Sequence, residues 1–182
     1  MSAADARAGE APVIETDRLI LRAHGRGDFA DSLALWADPE VTRYVGNKVF
    51  TREESWSRFL RYGGLWPMLG FGYWCVRERA TGRFVGEVGF ADFQRDMIPS
   101  LDGAPEAGWV LGRAAHGRGY ATEAVSAALA WLDASAHRGR SVCIIAPENA
   151  ASIRVATKCG YRAWTRGTYK DAAIVCLERD AR

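Results

Sequence analysis

Residues 113 to 124 read Arg-Ala-Ala-His-Gly-Arg-Gly-Tyr-Ala-Thr-Glu-Ala, and this stretch limits the fold more than any other. An apolar run ends at Leu111, a turn with two glycines follows, and an alanine-rich helix begins. Gly117 and Gly119 carry no Cβ, so the backbone there can turn tightly and approach a ligand closely. The first amides of the following helix have no intrahelical partner and stand at the positive end of its dipole, an arrangement that suits a pyrophosphate. A dinucleotide fingerprint needs a third glycine where Thr122 stands and an acidic residue about 20 positions on. Neither is present. A Walker loop needs Gly-Lys followed by Ser or Thr, and the stretch contains no lysine. A strand-to-helix turn with no ligand is the other reading that the stretch alone leaves open.

A second stretch decides between them: Pro147-Glu-Asn149-Ala-Ala-Ser152-Ile-Arg-Val-Ala-Thr-Lys158-Cys-Gly160-Tyr161. In this order and spacing the two segments resemble the GNAT superfamily of acyl-CoA-dependent N-acyltransferases. His116-Gly-Arg-Gly119-Tyr-Ala121 is similar to that family's pyrophosphate signature, [QR]-x-x-G-x-[GA], with His116 where glutamine or arginine is usual. The second segment is similar to the N-x-x-S-x-x-V-x-x-K-x-G-[FY] helix of the branch that includes the ribosomal-protein N-terminal acetyltransferases RimJ and RimL. Glu15-Thr-Asp-Arg-Leu-Ile-Leu-Arg22 resembles the opening strand of the same branch. The resemblance covers residues 13 to 179 or so. It implies a mixed α+β fold in the broad α/β class, with a central, mostly antiparallel sheet whose two parallel central strands splay apart, flanked by helices. The expected organisation is a single domain over 13–182 behind a disordered tail, residues 1–12.

The chain of 182 residues is one domain's worth, and its formal charge of +2 is too small to argue for nucleic acid. No apolar run approaches the ~20 residues of a membrane helix, and the amino end lacks the apolar core of a signal peptide. A cytoplasmic protein with no membrane or nucleic-acid partner is expected; the oligomeric state is left open, a homodimer included. Cys75, Cys143, Cys159 and Cys176 are widely spread and form no Cys/His cluster at ligand spacing, so no metal is expected.

Apolar patterning predicts a strand over 14–22 and then a helix that Asp28 caps, with Phe29, Leu33 and Trp36 on one face. Thr51-Arg-Glu-Glu54 matches a capping box, and the spacing predicts a helix over 52–62 closed by Gly63-Gly64. Residues 62–74, aromatic and broken by glycine and proline, read as a mobile loop. Trp66 and Phe71 are assigned there to an acceptor pocket, while Trp74 is assigned to the core. A hairpin is expected over 73–78 and 83–90, a polar loop over 92–105, and a strand over 106–111 that feeds the cradle. A helix over 122–134 closed by Gly139, a buried parallel strand over 141–146 and a helix over 150–159 come next. An antiparallel pair turning around Gly167 ends the chain.

The resemblance further implies acetyl-CoA as the cofactor, coenzyme A as product, and an amine as acceptor: a protein N-terminus or a small-molecule amine. It assigns Trp109, Val110 and Leu111 to the pantetheine arm. His116, Gly117, Arg118, Gly119, Tyr120, Ala121 and Thr122 are assigned to the pyrophosphate, and Asn149 and Ser152 to the sulfur end. A backbone N–H near Val110 would polarise the thioester carbonyl. Glu106, at the start of the central strand, is the first choice for the base that takes the amine proton, and Glu87 on the neighbouring strand the second. Either is equally readable as a salt-bridged strand residue. The family's usual acid, a tyrosine seven residues after the motif asparagine, is replaced by Ala156, which leaves Ser152 or water to protonate the thiolate. An inactive acyl-CoA-binding module of the same fold is the alternative function.

Overall fold

Side chains alternate between the two faces along Leu19–Arg22 (β2), which leaves Leu19 and Leu21 fully buried, and the short strand Ile14–Glu15 (β1) folds back against it. The expected first strand is therefore two strands with a turn over 16–18. In this computed structural model, which describes residues 9–46, 48–101 and 103–181, the further strands are Tyr73–Glu78 (β3), Phe84–Ala91 (β4), Glu106–Leu111 (β5), Ser141–Ile145 (β6), Arg162–Tyr169 (β7) and Ala172–Arg179 (β8). They form one eight-stranded sheet in the order β1-β2-β3-β4-β5-β6-β8-β7. Every pairing is antiparallel except β5 with β6. The mixed, mostly antiparallel sheet flanked by helices is as expected from the sequence.

The helices are Phe29–Trp36 (α1), Pro39–Thr42 (α2), Arg52–Leu69 (α3), Tyr120–Ala134 (α4) and Ala150–Lys158 (α5). None is long and apolar enough to cross a membrane. On one face of the sheet, α4 packs Val125, Ala128, Leu129 and Leu132 into the core with Val88, Phe90 and Leu111. On the other, α1 is tied down by the Glu87 carboxylate of β4, which accepts from Ser32 Oγ at 2.6 Å and Trp36 Nε1 at 2.9 Å.

Several local expectations change. Asp28 does not cap α1: its carboxylate accepts from both Arg22 and Arg77 and from the Gly25 amide, because two guanidiniums are within reach. The helix predicted over 52–62 runs on through Gly63, Gly64 and Pro67 to Leu69, and stops at Gly70 with φ of 74°. Interior glycines cost roughly 1 kcal/mol each and a proline about 3. Burial of Tyr62, Leu65 and Trp66 along the same helix, each worth about 1.5–3 kcal/mol or more, offsets that cost. The final hairpin turns at Lys170-Asp171, both at positive φ, and not at Gly167, which pairs with Ile174 inside β7. Helix α4 ends at Ala134, where the Ser135 amide and hydroxyl both donate to the Leu132 carbonyl, well before Gly139.

The expected disordered tail lies outside the described residues over 1–8. Residues 9–12 pack in place: the Pro12 carbonyl accepts from Trp74 Nε1 at 2.8 Å, and Ala11 lies against the core.

The longer α3 relocates two assigned pocket residues. Its carboxyl end reaches past β3, so that Trp66 donates to the Tyr73 carbonyl at 3.1 Å and packs edge-on against Trp74 and Trp131. Phe71 is buried in the same cluster and meets His137 edge-on. Neither side chain lines an opening. Trp66→Ala is therefore expected to lower the unfolding free energy by about 3–5 kcal/mol in a urea titration. Unchanged stability in that variant would return Trp66 to a loop role.

Candidate functional site

The central strands diverge. Strands β5 and β6 share one register pair, Glu106 with Val142, after which β6 is paired only to β8. Peptide groups alternate in direction along a strand, so two hydrogen bonds fix the parity of β5. The Pro105 carbonyl accepts from Val142, towards β6, and the Gly112 amide donates to the Val85 carbonyl, towards β4. Trp109 and Leu111 consequently turn their peptide groups to the gap, and Val110 turns its own to β4. The amide expected near Val110 is that of Trp109. Gly108, Trp109 and Val110 are half-buried between two strands, β4 and β6, that are almost wholly buried, which marks the opening.

At the carboxyl end of β5 the chain makes a short 3-10 turn over Arg113–Ala115 and enters the glycine loop. Gly117 and Gly119 have φ of 73° and 79°, a region that side chains with a Cβ rarely adopt, and a Cβ at Gly117 would meet nothing within 4 Å. None of the amides over 117–122 finds an acceptor among the described residues, and α4 starts at Tyr120 with no side-chain cap. The loop is braced from outside. Arg18 donates to the Arg118 carbonyl at 2.9 Å while its Nε binds Glu123 at 2.7 Å, and Arg118 binds Glu78 at 3.1 Å. Both guanidiniums also lie over the Tyr120 ring, whose hydroxyl donates to Glu78. The Thr81 and Tyr120 hydrogen bonds pull the Glu78 carboxyl down to about 2. His116 holds the loop to the strand: its amide donates to Arg113, and its Nε2 lies 2.9 Å from the Leu111 carbonyl. With its amide and ring both engaged, it shapes the cradle and offers no donor to it. Free amides, a helix N-terminus and open space above Gly117 fit a pyrophosphate.

Of the two carboxylates, Glu106 stands where β5 and β6 part. It is buried, and Arg95 grips both its oxygens, each at 2.7 Å. Glu87 is fully buried with Ser32 and Trp36 on it and His24 Nε2 3.5 Å away. Burial pushes the Glu87 carboxyl up, but His24, Ser32 and Trp36 together outweigh it and hold the group below its ordinary value. Its lone pairs are used to anchor α1, so the second choice for a base is a packing residue. Sequence reasoning missed the neighbours of Glu106. The Tyr73 hydroxyl stands over Gly108, where a Cβ would lie 1.9 Å from it, and makes no hydrogen bond among the described residues. Burial and then the charge of Glu106 push its phenol well above the usual range, so it stays protonated.

Asn149 caps α5 by accepting from the Ser152 amide at 3.1 Å. The Ser152 hydroxyl takes no part in the cap, makes no hydrogen bond among the described residues, and is half-buried. Ala156 is fully buried in the core.

The acetyltransferase (GNAT) domain model matches residues 18–162. Protein YkkB of Bacillus subtilis (strain 168) is 33% identical over 150 residues, 80% of this chain and 82% of that protein. Among solved structures, a chain of Bordetella pertussis assigned to the same acetyltransferase family superposes with a TM-score of 0.81 at 33% identity, covering 92% and 98% of the two chains. The fold also matches that of RimL, the ribosomal L7/L12 α-N-protein acetyltransferase, solved with coenzyme A: TM-score 0.73, 15% identity, 92% and 97% covered. A sheet parted beside a glycine cradle, together with these matches, establishes that the chain belongs to the GNAT family of acetyltransferases.

Proposed function

We propose that the protein transfers an acetyl group from acetyl-CoA directly to a primary amine in the cytoplasm. One observation carries this reading: the free amides over 117–122 lie at the end of β5, an interior strand whose peptide edge towards β6 is open beyond Glu106. Acetyl-CoA supplies the activated acyl carbon when bound. The cradle holds its pyrophosphate, and the edge of β5 at Trp109 and Leu111 takes the pantetheine arm. Here the Leu111 amide remains available while its carbonyl is committed to His116. The Trp109 N–H, turned to the gap, stabilises the charge that grows on the carbonyl oxygen.

The amine nitrogen forms its bond to the carbonyl carbon as the carbon–sulfur bond breaks. Glu106 receives the proton that the amine must lose. Arg95 orients this carboxylate without using all of its roughly four acceptor sites. The Ser152 hydroxyl gives a proton to the departing thiolate and is replenished from water. With Ala156 packed in the core, α5 offers no tyrosine acid at that position.

Two variants test the scheme. Gly119→Val places a β-branched residue at φ of 79° in the cradle. It is expected to weaken acetyl-CoA binding more than tenfold, above ~1.4 kcal/mol, in calorimetry on protein that still unfolds cooperatively. Unchanged affinity removes the cradle from the scheme. Glu106→Gln keeps the shape and loses the basicity, so kcat should fall ~10²-fold while acetyl-CoA still binds. The rising limb of the wild-type pH profile should vanish, and the deficit should shrink for acceptors of low pKa. A variant with near-normal turnover and the same limb excludes Glu106 as the base. A wild-type protein that binds acetyl-CoA and releases no thiol with any amine would instead be a binding module.

A further inference from the structure

The face of the sheet that carries Glu106 is crowded with arginine. Arg58 lies 3.9 Å over the Trp36 ring and 4.7 Å over Phe50, with a buried Nε that has no hydrogen-bond partner. One turn further along α3, Arg61 stacks on Phe93 at 5.3 Å and has no carboxylate partner among the described residues. Arg95 stacks on the same Phe93 at 4.5 Å and on Tyr169 at 4.6 Å. It also borders an open cleft of about 860 Å³ formed with Met97, Ile98, Gly167 and Thr168. These three guanidiniums and Glu106 are the charges that act on the Tyr73 hydroxyl. Glu106 balances Arg95, which leaves Arg58 and Arg61 without a paired carboxylate among the described residues. Arg61 is exposed at the rim of this face; partial desolvation, then the charge of Arg58 and, more weakly, that of Arg95, pull its guanidinium below its ordinary value. Like charges held together on aromatic platforms, beside an unbonded tyrosine hydroxyl, are the makings of an anion site.

We propose that the acceptor is a primary amine that also carries an anionic group, a carboxylate or a phosphate. That group lies against Arg58 and Arg61 while the amine faces Glu106 and the Tyr73 hydroxyl. The inference rests on the transfer reading above and names its substrate class. A bidentate guanidinium–oxyanion contact fixes the orientation of the acceptor as well as its affinity. A polyamine would bring further positive charge beside Arg58 and Arg61, although Asp96 lines the cleft next to Arg95.

The test is acetyl-CoA turnover over paired amines: the twenty amino acids and their amides, ethanolamine and phosphoethanolamine, and spermidine. At least one anionic amine should exceed its neutral counterpart by about tenfold or more in kcat/KM. Whether carboxylate or phosphate gives the larger ratio identifies the source of the anion. Arg61→Gln should collapse that acid-to-neutral ratio towards one, and Arg61→Lys should keep part of it, a split that loss of folded protein alone cannot produce. A panel in which no anionic amine surpasses its neutral partner, or in which spermidine is the best acceptor, overturns the inference and leaves the transfer reading in place. Acetyl-CoA binding with no turnover of any amine overturns both.

Discussion

A sheet strand must satisfy its peptide groups on both sides, and β5 does so with protein on one side only. Beyond the pair Glu106–Val142, β6 turns its hydrogen bonds to β8, and the peptide groups of Trp109 and Leu111 face a gap. Buried peptide groups are rarely left without a partner. One of these is closed within the chain, by His116 on the Leu111 carbonyl. The rest of the edge is satisfied by whatever enters the gap, and a ligand with amide groups along an extended arm can add itself as a strand would. The same divergence half-exposes Gly108, Trp109 and Val110, so binding edge and reaction site arise from a single break in pairing.

Holding such a break open requires rigid flanks. On one side, β4 is fixed through Glu87, whose buried carboxylate draws α1 onto the sheet. Removing one partner from a buried charge is more damaging than the pair is stabilising, so Glu87 acts as a constraint on geometry more than as a source of stability. Asp28 does the same nearer the edge, with Arg22 and Arg77 on one carboxylate. Burial works against that carboxyl, yet the two guanidiniums and the Gly25 amide hold it well below its ordinary value of 3.8. Its contribution is complete above that value and fades as pH falls towards the folded one. Thus α1 is locked over the face that carries Glu106.

What was legible in the sequence was what is decided locally. Two glycines, a missing cap and the start of an alanine-rich helix define the cradle within a dozen residues, and the structure adds only the brace of Arg18 and Arg118. Strand β5 was read to the residue because Glu106 and Leu111 bound an apolar run between a polar loop and a turn. The carboxyl half of α3 was not legible, because Gly63, Gly64 and Pro67 argue against a helix and only the tertiary burial of Leu65 and Trp66 argues for it. Glu106 was nominated by its place in the chain, but its partner Arg95 was hidden in a loop. Arg58 and Arg61 look in sequence like the polar face of an amphipathic helix. No local signal separates a solvated arginine from one stacked on Trp36 or Phe93.

Those arginines connect the length of α3 to the chemistry. Arg58 and Arg61 sit in the half of the helix that the capping box starts, and Leu65 and Trp66, beyond the glycines, join Phe59 and Tyr62 in fixing the rotation of the whole helix against the sheet. Tyr62 stacks on Tyr73 at 4.7 Å and on His24 at 5.0 Å, so one ring ties α3 both to the residue beside Gly108 and to the residue beside Glu87. A helix that stopped at Gly63 would keep its cap and its charges but lose the Leu65 and Trp66 part of the packing that aims them. The packing of Leu65 and Trp66 beyond a predicted helix end therefore helps to set where the arginines of α3 stand over the sheet, through core contacts that no motif records.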